Sequence, residues 1–177
     1  MKHKNIIMIL LGLTGSLLAE TVLDFPFNSS ENTKGWMGIK ERAEFVKDGD
    51  GTVLKIKREE EGKGSTGIRY KIVPEQIAGK RVTFSTDIKR DIKVYQKWQG
   101  AKFQITVKRE NGKMEYFGIF FPPGKFDWTT VKKTHDIPQD IVSATLFIGI
   151  QSGTGEVFYK NLKITAEDRK PDNDKKE

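Results

Sequence analysis

The chain has 177 residues, no cysteine, 31 lysines and arginines against 24 aspartates and glutamates, and a net charge of +7. Without thiols it has no disulfides, cysteine nucleophile, thiolate zinc site or iron–sulfur cluster. Bases and acids are interspersed, as in Lys55-Ile56-Lys57-Arg58-Glu59-Glu60-Glu61, which marks a solvated sheet face and not a nucleic-acid footprint.

The first 19 residues read as a secretory signal. Lys2, His3 and Lys4 make a basic start, residues 6–18 an apolar stretch, and Ala19 the small residue before a cut at Glu20. A membrane span needs about 20 apolar residues, more than this run supplies. The mature chain is expected to be secreted, whether periplasmic, extracellular or at the cell surface, with no membrane span. Residues 20–166 suit one domain. Residues 167–177 carry charge and almost nothing apolar, so a disordered tail is expected there.

Strand signals fill the domain. Period-two alternation predicts strands over 52–57, 68–72, 82–88, 103–107 and 144–148. Turn residues separate them: Asp48-Gly49-Asp50-Gly51, Glu61-Gly62-Lys63-Gly64, Asn111-Gly112 and Ser152-Gly153-Thr154-Gly155. Asn111-Gly112 predicts a hairpin with a type I′ turn, which needs positive φ at both central residues. Pro74 and Pro138 each predict a single helical turn with proline at its first position. Short strands with closely spaced turns make an all-β sandwich or barrel.

Catalytic signals are weak. His135 is the one histidine after the leader, no GxSxG elbow is present, and His135 is expected to be a surface residue on a strand. The acids at 48, 50 and 59–61 sit in glycine-rich turns, where carboxylates are usually solvated. Asp48-Gly49-Asp50-Gly51-Thr52 lacks the closing glutamate of a helix-flanked calcium loop and predicts a turn. Trp36 and Trp128 are expected in the core or at its rim. Trp98 and Tyr95 lie in a polar connection, Val94-Tyr95-Gln96-Lys97-Trp98-Gln99-Gly100, as an exposed aromatic platform or as a plug over the sandwich end. Alternation turns Val82, Phe84, Ile88, Phe103, Ile105, Val107, Leu146, Ile148 and Ile150 inward. It leaves Arg69, Asp87, Gln104, Thr145, Phe147, Gly149 and Gln151 facing outward.

The order of landmarks is specific. Gly79-Lys80-Arg81-Val82-Thr83-Phe84-Ser85-Thr86-Asp87-Ile88-Lys89 is followed by Lys97-Trp98-Gln99-Gly100-Ala101-Lys102-Phe103, Phe126-Asp127-Trp128 and Ile137-Pro138. Ile148-Gly149-Ile150-Gln151 and Gly153-Thr154-Gly155-Glu156-Val157-Phe158-Tyr159 close the series. This resembles the jelly-roll carbohydrate-binding modules attached to cellulases and xylanases, within the galactose-binding-like β-sandwich group. The resemblance implies two antiparallel sheets and glycan binding without chemistry. It also implies a cleft on an open sheet face, where Arg69, Asp87, Gln104 and Gln151 meet sugar hydroxyls, with Tyr95 and Trp98 as stacking residues. Modules of this kind often hold a structural calcium by an acid late in the last strand. Lys160 stands near that position, where it would replace the cation by pairing with an acid such as Asp24, so neither calcium nor another cofactor is expected. The expected partner is a polysaccharide or oligosaccharide, bound by a monomer, with no nucleic acid. The rival readings are a surface or assembly protein using the aromatic run Tyr116-Phe117-Gly118-Ile119-Phe120-Phe121, and, third, a small glycoside hydrolase.

Overall fold

The computed structural model describes residues 19–94 and 99–169. The expectations for residues 1–18, for Tyr95 and Trp98, and for the tail beyond 169 lie outside them. Strands β1 (Glu20–Phe25), β2 (Trp36–Met37), β3 (Glu44–Asp48), β4 (Gly51–Arg58) and β5 (Ser65–Ile72) lead the chain, with one helical turn, α1 (Ile39–Arg42), before β3. They are followed by β6 (Arg81–Val94), β7 (Gly100–Arg109), β8 (Met114–Phe120), β9 (Gly124–Asp136), β10 (Ile141–Gln151) and β11 (Gly153–Glu167). All five predicted strands are present, and β11 extends one residue into the expected tail.

Two antiparallel sheets form a jelly-roll sandwich. The six-stranded sheet has the order β3-β4-β11-β6-β9. The first strand, β1, pairs with the far half of β11, opposite Leu162 to Ala166, while β4 pairs with Gly155 to Tyr159. The five-stranded sheet has the order β2-β5-β10-β7-β8. From β5 onward the chain changes sheet at nearly every connection, and only β7 and β8 are hairpin neighbours within one sheet.

The inward positions fill the space between the sheets. Phe84, Ile88, Phe103, Ile105, Leu146, Ile148, Val157, Tyr159 and Ile164 are all fully buried. Phe84 and Phe103 meet edge to face across the sheets, with centroids 5.3 Å apart. Each such burial contributes about 1.5–3 kcal/mol. In a chain without disulfides, this packing carries the fold. At one end Trp36 joins Phe25, Phe27 and Tyr70 in a cluster with centroid separations of 5.2–5.9 Å, so Trp36 is a core residue, as expected.

Several local expectations are corrected. In the β7–β8 hairpin the Gly112 N–H donates to the Arg109 carbonyl, and the Arg109 N–H donates to the Lys113 carbonyl, each at 2.9 Å. Only Gly112 has positive φ, at 84°, so the loop is a three-residue type I turn closed by a glycine bulge and not type I′. Pro74–Gln76 makes the predicted helical turn, but Pro138 does not. There Asp140 is instead held by Arg109, whose Nε lies 2.9 and 3.0 Å from the two carboxylate oxygens.

Trp128 is half-buried on the outer face of the six-stranded sheet, outside the core. Its indole N–H donates to Asp48 Oδ2 at 2.5 Å, and Lys160 Nζ stands 4.2 Å from its ring centroid. Lys160 therefore does not pair with Asp24, whose partner is Lys163 at 3.6 Å, opposite it in the β1–β11 ladder. His135 is half-buried, not a plain surface residue. Its Nε2 lies 2.9 Å from the Gly118 carbonyl oxygen, and its ring packs edge-on against Phe84 and Phe117. It closes the sandwich where edge strand β9 faces edge strand β8.

Candidate functional site

The open face of the five-stranded sheet is built in rows that cross its strands. Pairing registers set Met37 of β2 opposite Arg69 of β5, Arg69 opposite Phe147 of β10, Phe147 opposite Gln104 of β7, and Gln104 opposite Gly118 of β8. One row over runs Lys71, Thr145, Thr106 and Tyr116. On the other side runs Gly67, Gly149, Lys102 and Phe120. Because neighbouring strands lie about 4.8 Å apart, each row is a continuous line of side chains perpendicular to the strands.

The glycine row is what makes the face hollow. A Cβ added at Gly67 would lie 2.6 Å from Phe147 Cε2, and one added at Gly149 would lie 2.6 Å from Gly67 Cα and 3.0 Å from Phe147 Cζ. The Phe147 ring therefore leans down onto bare backbone at both glycines. The Arg69 guanidinium carbon sits 5.1 Å from the ring centroid, a cation–π contact that holds both side chains in place.

Ser65, Arg69, Gln104, Thr106, Tyr116, Thr145, Phe147 and Gln151 line the resulting hollow, of about 330 Å³. Tyr116 stands at its border with 64% of its surface exposed. Amide, hydroxyl and guanidinium groups thus surround two aromatic rings. That combination satisfies sugar hydroxyls while burying the apolar faces of a pyranose. None of the lining residues is acidic, so the hollow has no carboxylate pair to act as general acid and base on a glycosidic bond. Among the described residues there is no cluster of three His, Cys, Asp or Glu suited to a metal ion, and no helix long and apolar enough to cross a membrane.

The structure brings Arg69, Gln104 and Gln151 together in this hollow. Asp87 is elsewhere. It lies on β6, on the outer face of the opposite sheet, where Oδ1 accepts from Thr130 Oγ1 at 2.6 Å and Oδ2 from Asn161 Nδ2 at 2.7 Å. Alternation identifies an outward side chain but not the sheet its strand joins. Tyr95 and Trp98 lie outside the described residues.

Phe147, Tyr116, Thr145, Thr106 and Ser65 were not among the expected site residues. Phe147 did carry a signal, since a large aromatic at an outward strand position, two residues before an outward glycine, has no core to join. The aromatic run at 116–121 divides by alternation. Phe117, Ile119 and Phe121 pack against or within the core, while Tyr116 and Phe120 face out, so it is not a continuous apolar surface.

No protein-family profile matches the chain, and no curated protein matches it in sequence. Solved structures do match in fold. The CBM22-1 xylan-binding domain of Xyn10C from Paenibacillus barcinonensis superposes with a TM-score of 0.62 at 12% identity, over 88% of this chain and 99% of that one. The CBM22-1–GH10 modules of endo-1,4-β-D-xylanase 10B from Clostridium thermocellum, solved with xylohexaose, match at a TM-score of 0.59 and 17% identity. That match takes in 85% of this chain but 28% of the two-module enzyme. A family 16 carbohydrate-binding module matches at a TM-score of 0.55 and 14% identity, over 77% of this chain and 95% of its own. The chain has the jelly-roll β-sandwich fold of the CBM22 and CBM16 carbohydrate-binding modules.

Proposed function

We propose that this chain is a non-catalytic carbohydrate-binding protein, secreted after loss of residues 1–19, that holds a polysaccharide across the open face of the five-stranded sheet as a monomer. One observation carries the reading: Phe147 lies down on the Gly67–Gly149 backbone, flanked by Arg69, Gln104 and Gln151, and leaves a hollow that crosses the strands. An aromatic floor with convergent polar groups and no acid–base pair suits retention of a glycan and not its hydrolysis. The structures of like fold include a xylan-binding domain and a CBM22-1–GH10 pair solved with xylohexaose, which makes xylan the first polymer to test. The opposite face is less suited, because its aromatics are already engaged, Trp128 by Asp48 and Lys160 and Phe158 by Lys55 and Lys89.

The test is affinity electrophoresis of the purified chain through gels containing xylan, mannan, β-glucan or polyuronate, with reducing-sugar release followed in parallel. Retardation by at least one polymer without release of sugar is the expected result. Free migration in every gel, or sustained sugar release, would refute the reading.

A further inference from the structure

The two faces of the sandwich handle charge differently. On the six-stranded sheet acids share the outer face with the lysines, and several of the lysines are paired. Lys55 pairs with Glu156 at 2.9 Å and with Glu44 at 3.3 Å, Lys89 with Asp48 at 2.6 Å, and Lys163 with Asp24 at 3.6 Å. On the five-stranded sheet the outward positions of β5, β7, β8 and β10 carry Arg69, Lys71, Lys102 and Lys108, and no aspartate or glutamate. Among the described residues none of these four cations has a carboxylate partner, and the sole specific contact of the Arg69 guanidinium is the Phe147 ring. An outer face that carries both acids and bases on one side and a basic face without acids on the other is a polarity that folding alone does not require.

We infer that the glycan held on this face is acidic, a polysaccharide bearing carboxylates along its length, and that Arg69 and Lys102 recognise its charge. This rests on the carbohydrate-binding reading above and names the class of polymer. Arg69 offers a planar fork that matches a carboxylate with two parallel hydrogen bonds, and stacking on Phe147 restricts its freedom before any ligand arrives. Lys102 lies in the glycine row beside Gly149, where burial pushes its ammonium below the ordinary lysine value. An arriving anion supplies the partner that such a desolvated cation lacks. Strands β5 and β7 are two strand spacings apart, about 10 Å. Two cations on strands that far apart suit a polymer with repeated acids along its length.

The experiment compares polygalacturonate with the same polymer after its carboxyl groups have been reduced to alcohols, and with a sulfated glycan. Each is titrated calorimetrically into the full chain and into Arg69→Gln, Lys102→Gln and Phe147→Ala, with melting curves confirming that each variant is folded. Native polyuronate should bind at least about tenfold more tightly than the reduced polymer, and more weakly as salt is raised. Arg69→Gln and Lys102→Gln should each remove about tenfold on the native polymer and little on the reduced one. Phe147→Ala should weaken both. Equal affinity for native and reduced polymer overturns the inference and leaves the carbohydrate-binding reading standing. Tight binding of the sulfated glycan without binding of polyuronate overturns the assignment to carboxylates. Failure to bind any glycan, neutral or acidic, overturns both readings together.

Discussion

The Tyr159 hydroxyl donates a hydrogen bond to the backbone carbonyl of Lys102 at 3.0 Å, crossing the core from β11 of one sheet to β7 of the other. Burial pushes the phenol well above its ordinary value, so it remains a donor throughout the range in which the protein is folded. The bond fixes the strand that presents Lys102 and Gln104. Tyr159→Phe should cost about 0.5–1.5 kcal/mol, read as a fall of a few degrees in melting temperature. Tyr159→Ala should cost several times more, because it also opens a cavity. An unchanged melting temperature in both would show that the bond and the packing are dispensable.

Phe147→Ala removes an outward ring, so the expected loss is in glycan retention, about 1–3 kcal/mol or roughly tenfold or more in affinity, with little change in melting temperature. Gly67→Ala reaches the same site by a different route. Its new methyl would meet the Ile148 carbonyl oxygen and, at 2.6 Å, Phe147 Cε2, so it must strain the β5–β10 pairing as well as lift the ring. A fall in melting temperature is expected with the loss of binding. Both variants should therefore weaken binding, and affinity electrophoresis beside melting curves separates that from unfolding.

Trp128→Ala should leave glycan retention intact and lower stability. The indole bridges edge strand β9 to the β3–β4 turn through Asp48, on the face away from the hollow. Loss of retention in a folded Trp128→Ala variant would move the binding site to the six-stranded sheet.

Asp48 also sets a pH dependence. Hydrogen bonds from Lys89 and Trp128 hold its carboxyl below the ordinary value of 3.8. A carboxyl whose pKa is depressed by folding contributes stability above its unfolded pKa and loses it as pH falls through the folded one. Asp48→Asn should therefore flatten the loss of stability below about pH 4. Denaturant melts at a series of acid pH values measure it, and parallel curves for the two proteins would rule out a role for Asp48.

Chelation should leave the melting temperature unchanged. Lys160, near the position where the resembled modules place a late acid, has its ammonium against the Trp128 ring, a site hostile to a second cation. A fall in melting temperature with chelator that calcium reverses would show that other oxygens bind the ion.

The sequence by itself determined five of the eleven strands and which of their residues turn inward. Alternation in runs such as Val82 to Ile88 and Phe103 to Val107 reflects the pleat, a local property that one strand's residues express without knowing their neighbours. The landmarks from Gly79 to Tyr159 also carried the jelly-roll fold, since glycines, turn residues and core aromatics must recur in order along any chain that folds this way. What only the tertiary structure decided is which outward residues share a face. Asp87 and Gln104 are both outward on predicted strands, yet they lie on opposite sides of the molecule because β6 and β7 join different sheets. The rows joining Arg69, Phe147 and Gln104, and Gly67 with Gly149, exist only through registers between strands distant in sequence. Trp128 shows the same limit, since its partners Asp48 and Lys160 come from other strands and draw a large apolar ring out of the core. Long-range pairing places side chains beside one another across the sheet, and no local pattern contains that information.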